Sequence, residues 1–227
     1  MESHNWKVIV LMGVPGSGKG TEAQILSHLD PKYIHISTGQ LLRDLENDPS
    51  ADVRDKALLH QMKEGKLVDD TLVYRLAFDA IEKTLSENHV AILDGAIRSV
   101  NQAMHYEKFF EEKGIEKDVA IIEIQLSDDI SFKRLTTRKV CADCGYIIPY
   151  SIDNFKKTLC EKCGGALMVR TDDHPETVLK RIEAQGNKVL QPILDYYKQV
   201  GTVFSVDGNR SIPEVDVDIR KILGISP

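Results

Sequence analysis

Val8-Ile9-Val10-Leu11-Met12-Gly13-Val14-Pro15-Gly16-Ser17-Gly18-Lys19-Gly20-Thr21 is the stretch that decides how this chain folds. Its first five residues are all apolar, too few for a helix and suited to a strand buried on both faces. A glycine-rich turn follows, and the apolar spacing of Ile25, Leu26 and Leu29 then announces a helix. Glycines let a backbone curl until successive N–H groups point inward, and the helix N-terminus adds the positive end of a dipole. The result is an anion nest. Gly16, Ser17, Gly18, Lys19, Gly20 and Thr21 are the candidate contacts to a nucleotide triphosphate. Lys19 offers a mobile charge for the β and γ phosphates, and the Thr21 hydroxyl is placed for phosphate or for the shell of a metal ion. The lysine distinguishes this turn from a dinucleotide fingerprint.

Four further segments read as buried strands: 33–36, 89–93, 119–126 and 202–206. Between them Leu72, Val73, Leu76, Ala77, Ala80, Ile81 and Leu85 fall at helical spacing, as do Val178, Ile182, Val189, Ile193 and Tyr196 more loosely. Such β-α alternation predicts an α/β fold with a parallel sheet and helices on both faces. Two stretches break the rhythm. Residues 38–68 hold helical patterns without a strand, and residues 140–170 lack sustained periodicity but carry all four cysteines. A structureless loop of that length inside a compact domain requires a staple.

Cys141, Cys144, Cys160 and Cys163 form the pattern C-x2-C-x15-C-x2-C, the spacing of a tetrahedral zinc site. Four thiolates leave no open position, so the ion is expected to be structural. Two disulfides, a redox pair and iron are the chemical alternatives.

With 29 basic and 35 acidic residues the chain carries a formal charge of −6, which disfavours bulk nucleic acid as the main partner. No apolar run approaches the ~20 residues needed to span a bilayer. The expected setting is the cytoplasm, away from membranes, and the Asn209-Arg210-Ser211 sequon is then incidental. Trp6 is expected to pack at the sheet edge, His174 to open a helix, and Tyr196-Tyr197 to serve packing.

The loop with Gly20-Thr21 after Lys19 is the first of several motifs in order. Ser37-Thr38-Gly39-Gln40-Leu41-Leu42-Arg43 follows, then Asp94-Gly95-Ala96-Ile97-Arg98 with Gln102, then Arg170-Thr171-Asp172-Asp173 with Glu176 and Arg181. Together they resemble the motifs of adenylate kinases, from about the first strand to Leu223. That resemblance implies a P-loop three-layer sandwich with core segments 1–37, 69–137 and 174–227. It also implies an AMP-binding helical insertion at 38–68 and a zinc-stapled lid at 138–173.

The implied reaction is MgATP + AMP ⇌ 2 ADP by a monomer, with magnesium accompanying ATP and zinc in the lid. Thr38, Arg43, Gly95, Arg98 and Gln102 match the AMP site, with Arg43 on the phosphate and Gln102 reading the adenine edge. Arg134, Arg138, Arg170 and Arg181 match the arginines over ATP and the transferring phosphoryl group; Arg170 and Arg181 also reach AMP. Asp94 matches the acid that orients magnesium through water. Planar, permanently charged guanidinium groups suit phosphoryl transfer, where alignment and charge neutralisation matter more than covalent help. Asp172 and Asp173 are expected to hold the lid arginines, the bland alternative being the acidic preference of a helix start.

Two departures from the family pattern stand out: Gln40 where aspartate is usual, and Ala96-Ile97 where Phe-Pro is usual. Without the proline, the 96–97 bond is expected to be trans. The competing functions are a UMP/CMP-type kinase and, in another class, a zinc ribbon on nucleic acid with a nucleotide switch. The lid segment 138–173 holds six basic and five acidic residues, which is not a basic patch.

Overall fold

A computed structural model describes residues 5–63, 70–148, 154, 156–169, 173–201 and 203–225. Five parallel strands form the main sheet: β1 (Val8–Met12), β2 (Tyr33–Ser37), β3 (Val90–Asp94), β4 (Val119–Gln125) and β8 (Val203–Asp207), in the spatial order β2-β3-β1-β4-β8. All five expected strands are present within a residue or two at their ends.

β1 is buried along its whole length because both of its faces are covered. Val8, Val10 and Met12 point to one cluster, shared with α4 (Thr71–Ser86), α5 (Val100–Glu112) and α8 (Asn187–Val200). Ile9 and Leu11 point to the other, with α1 (Lys19–Leu29) and α9 (Ile212–Leu223). Alternation of side chains along one strand thus explains three layers. Each fully buried Leu or Ile in these clusters contributes about 1.5–3 kcal/mol. Trp6 lies edge-on to Phe204 of β8, at the sheet edge as expected.

The register sets the site. Leu11 of β1 lies opposite Asp94 of β3, and Ser37 of β2 pairs with the same Asp94. The carboxyl ends of three strands are therefore level, where open parallel sheets bind ligands.

The region 38–68 contains α2 (Thr38–Asn47) and α3 (Val53–Lys63), in keeping with its helical patterns; residues 64–69 lie outside the described ones. The loose periodicity from Val178 to Tyr196 resolves into two helices, α7 (Pro175–Gln185) and α8, separated at Gly186. A Cβ on Gly186 would stand 2.5 Å from the Ile182 carbonyl oxygen and 3.0 Å from Asp128 Oδ1, so the chain turns where only hydrogen fits. His174 is the N-cap of α7. Tyr197 is buried in the core and Tyr196 packs against it.

The cysteine region, which shows no sustained periodicity in the sequence, holds a small antiparallel sheet. β5 (Lys139–Cys141) pairs with β6 (Ile147–Ile148) and β7 (Leu167–Val169). Strands of two or three residues are too short for a period of two to register. α6 (Asp128–Thr137) leads into this sheet, and α7 follows it.

Candidate active site

Gly13, Gly16 and Gly18 all adopt positive φ (142°, 80° and 112°), a region that side chains resist. At Gly13 space is closed as well, because a Cβ would stand 2.6 Å from both the Ile124 carbonyl oxygen and Ser17 Oγ. The loop is braced from outside the motif. Ser131 of α6, fully buried, donates its hydroxyl to the Pro15 carbonyl at 2.5 Å. Arg134, one turn later, donates Nη2 to the Gly208 carbonyl at 2.7 Å and Nη1 to the Gly16 carbonyl at 3.5 Å.

Lys19 opens α1 and lies back along the loop, its Nζ donating to the Gly13 and Val14 carbonyls at 2.8 and 3.0 Å. Burial pulls its pKa below the ordinary lysine value; Asp94 opposes that pull, while Arg98, Arg181 and Arg138 reinforce it. Three arginines, from the β3–α5 turn, the end of α6 and α7, therefore act on Lys19, and two carboxylates, Asp94 and Asp173, lie among these four cations. Such a cluster is unfavourable by itself and suits a ligand with several negative charges.

Asp94 ends β3 with its Oδ2 3.5 Å from His35 Nε2, a long polar contact. Burial alone would raise its pKa, but His35, Lys19 and Arg98 together hold it below the usual carboxylate value, so it is ionised. A Cβ on Gly20 would lie 3.2 Å from that same Oδ2, which places the carboxylate directly against the loop. An ionised carboxylate beside a phosphate nest is the donor a hard cation requires, directly or through water.

Across the cleft, Gly95 adopts φ 69° and its carbonyl accepts from Arg98 Nε at 3.1 Å. Arg98 N donates to Gln102 Oε1 at 2.7 Å, and Gln102 Nε2 donates to Asp70 Oδ2 at 3.0 Å. The Ala96–Ile97 bond is trans, as expected, and both side chains are packed into the core. Gly13, Lys19, Gly95, Ile97 and Arg98 line one cleft together with Gln185. Thr38 begins α2, buried, with an unpartnered hydroxyl. Arg43 lies one turn on, exposed, held by Gln40 Oε1 through Nη2 at 2.7 Å and Nε at 3.3 Å, while Gln40 Nε2 reaches Asp44 at 2.7 Å. The amide at 40 thus orients Arg43 without neutralising it.

Asp173 has no exposed side-chain surface. It accepts Nε and Nη2 of Arg138, each at 2.7 Å, and Nη1 of Arg181 at 3.2 Å. One carboxylate therefore fixes two arginines, one at the C-cap of α6 and one on α7. Arg170 and Asp172, also expected at the site, lie outside the described residues. Sequence reasoning missed Ser131, Gly208, His35 and Asp70. Gly208 was detectable in principle, as a glycine just past a parallel strand; Ser131 gives no signal, since its partner is 116 positions away.

The four cysteine Sγ atoms lie within 4.8 Å of one another, with Cys141–Cys163 at 3.4 Å and Cys144–Cys160 at 3.7 Å. Disulfide sulfurs would stand about 2.05 Å apart, and the four cysteines are free. Tetrahedral zinc with bonds of about 2.3 Å spaces its sulfurs about 3.8 Å apart, so the donor set fits that ion. Gly145 and Gly164 take φ 69° and 76°, and their N–H groups close turns onto the Cys141 and Cys160 carbonyls. The N–H of Cys144 points at Cys141 Sγ, a bond that favours the thiolate a metal needs.

Residues 11–202 match the family model described as adenylate kinase. A protein named adenylate kinase from Caldanaerobacter subterraneus subsp. tengcongensis is 39% identical over 221 residues, covering 95% of each chain. Proteins of the same name are 36% identical over 222 residues in a Thermoanaerobacter species and 35% identical over 219 residues in Bacillus subtilis. Each alignment covers 95% of this chain and 97% of the relative.

Proposed function

This chain belongs to the adenylate kinase family, and on that premise we propose that it catalyses MgATP + AMP ⇌ 2 ADP with the groups gathered at the carboxyl ends of β1 and β3. The observation that carries the reading is the placement of Lys19 and Arg98 in one cleft beside the loop, with the Asp94 carboxylate against Gly20 and with Arg138 and Arg181 joined on Asp173. The family also decides against the zinc ribbon as the main function.

In this reading the N–H groups of 16–21, Lys19, Arg134 and Arg138 hold the donor phosphates. Thr38, Arg43, Gly95, Arg98, Gln102, Arg170 and Arg181 hold the acceptor. Holding both nucleotides in line supplies up to about 7–11 kcal/mol of the barrier reduction. Each fixed cation aimed at the equatorial oxygens adds roughly 3–4 kcal/mol. The acceptor phosphate, with a second pKa near 6, is already largely dianionic at neutral pH and needs no general base. That agrees with a carboxylate at Asp173 given over to two arginines. Asp94 would hold the magnesium that accompanies ATP through bound water, and that ion would supply neutralisation of the phosphate charge.

Cys141, Cys144, Cys160 and Cys163 would hold a structural zinc, which closes the 138–173 lid into a folded unit. Residues 38–68 form the acceptor lobe, and the protein works as a cytoplasmic monomer. Among the described residues no helix is long and apolar enough to cross a membrane. The test is a nucleotide panel in which AMP, CMP, UMP and GMP are each offered with MgATP and product is quantified. AMP is expected to give the highest kcat/KM; a pyrimidine monophosphate in first place overturns the assignment.

A further inference from the structure

The amide of Gln102 is held at both ends by partners of opposite kind. Its Oε1 accepts from Arg98 N at 2.7 Å and its Nε2 donates to Asp70 Oδ2 at 3.0 Å. A backbone N–H only donates and a carboxylate only accepts. Turning the amide over would set donor against donor and acceptor against acceptor.

Asp70 is placed for this task. It occupies the N-cap of α4, where aspartate ordinarily accepts from the first turn of its own helix. Here its side chain makes no capping bond; the carboxylate instead reaches a residue 32 positions away. Both Asp70 and Gln102 are half-buried, at the junction of α4 with the β3–α5 turn.

We propose that Asp70 is a specificity-determining positioning residue, which holds the Gln102 amide in one orientation so that the acceptor site takes a 6-aminopurine and rejects a 6-oxopurine. The inference rests on the assignment of Gln102 as the contact to the acceptor base. An amide has two N–H donors and two acceptor lone pairs. Asp70 and Arg98 take one of each, and one of each is left for the base. Adenine presents an amino donor at C6 beside an acceptor at N1. Hypoxanthine has the same outline with the polarity reversed, a carbonyl at C6 beside an N–H at N1. A fixed amide matches one of these, while an amide free to turn over matches both. Sites built on fixed polar partners reject the analogue that leaves them mispaired.

Asp70 also acts electrostatically on Arg98, so its loss changes phosphate affinity, but equally for AMP and IMP. The ratio of their kcat/KM values isolates the base. The experiment measures that ratio at saturating MgATP for the wild type, Asp70→Ala, Asp70→Asn and Gln102→Ala. Asp70→Ala is expected to narrow the AMP:IMP ratio about tenfold with KM for ATP unchanged. Asp70→Asn, which keeps one acceptor oxygen and is isosteric should the alanine variant not fold, is expected to lie between alanine and wild type. A ratio unchanged by both Asp70 substitutions but narrowed by Gln102→Ala overturns the role of Asp70 alone. A ratio unchanged by Gln102→Ala removes the base contact itself, and with it the inference. A wild type inactive on AMP overturns the functional assignment instead.

Discussion

Replacing Asp173 with asparagine tests whether one buried carboxylate organises the site. The aspartate accepts three guanidinium N–H groups, two from Arg138 at 2.7 Å and one from Arg181 at 3.2 Å. Asparagine keeps the shape but offers a single oxygen, and its NH2 must face a guanidinium donor. At least one charge-assisted bond of about 1.5–3 kcal/mol is lost, and a donor is left opposed. The guanidinium groups retain 18% and 29% of their side-chain exposure, so water relieves part of the remaining charge. A net cost of about 2–3 kcal/mol follows, which in a chain of this size lowers Tm by roughly 4–12 °C. Catalysis should suffer more. Two arginines released from fixed positions weaken two preorganised contacts, and kcat is expected to fall by about 10²–10³ with KM for ATP changed far less. Steady-state kinetics beside calorimetry supply both readings. A folded Asp173→Asn protein with unchanged Tm and at least half the wild-type kcat would refute the argument.

Lys19→Met keeps the apolar stem and removes the charge, so kcat should drop at least ~100-fold in a protein of normal circular dichroism; near-normal turnover contradicts the phosphate-loop role. Elemental analysis should find one zinc per chain, and Cys160→Ala should raise amide exchange around β5–β7 before the main sheet opens; metal-free protein with four titratable thiols contradicts the zinc centre. Glu22, on α1 against α9, is pushed up to about 8 by burial and then by Asp216, with Arg220 opposing. Because the folded state binds this proton more tightly than the unfolded one, its stabilisation is complete below about pH 4.5 and is lost as pH rises through 8. Glu22→Gln mimics the protonated acid, so Tm measured from pH 5 to 9 should decline less for the variant; parallel curves contradict the buried-proton account.

The chemistry-bearing motifs were legible in the sequence because each is local. An apolar pentad before a glycine turn can hardly be anything but an interior strand feeding a helix. Two CxxC knuckles carry their own geometry, and Gly95, Arg98 and Gln102 are bound to one turn by spacing alone. The helical character of 38–63 was likewise readable. The strands of two and three residues in the cysteine region were not, because pairing with partners elsewhere in the chain, for β7 across more than 25 residues, rather than any local period, makes them strands.

Which groups are available for phosphate and metal is set locally, since strand, turn and ligand spacing are properties of neighbouring residues. What holds those groups in place is set by contacts made in three dimensions. Ser131 braces Pro15 from 116 positions away, Gly208 receives Arg134, His35 meets Asp94 across adjacent strands, and Asp70 turns from its own helix to Gln102. The Arg138–Asp173–Arg181 junction likewise joins α6 to α7 across the whole cysteine region. Such partners are chosen by where the parallel sheet and its crossovers bring the chain, and a hydrogen bond responds to distance in space and not along the sequence.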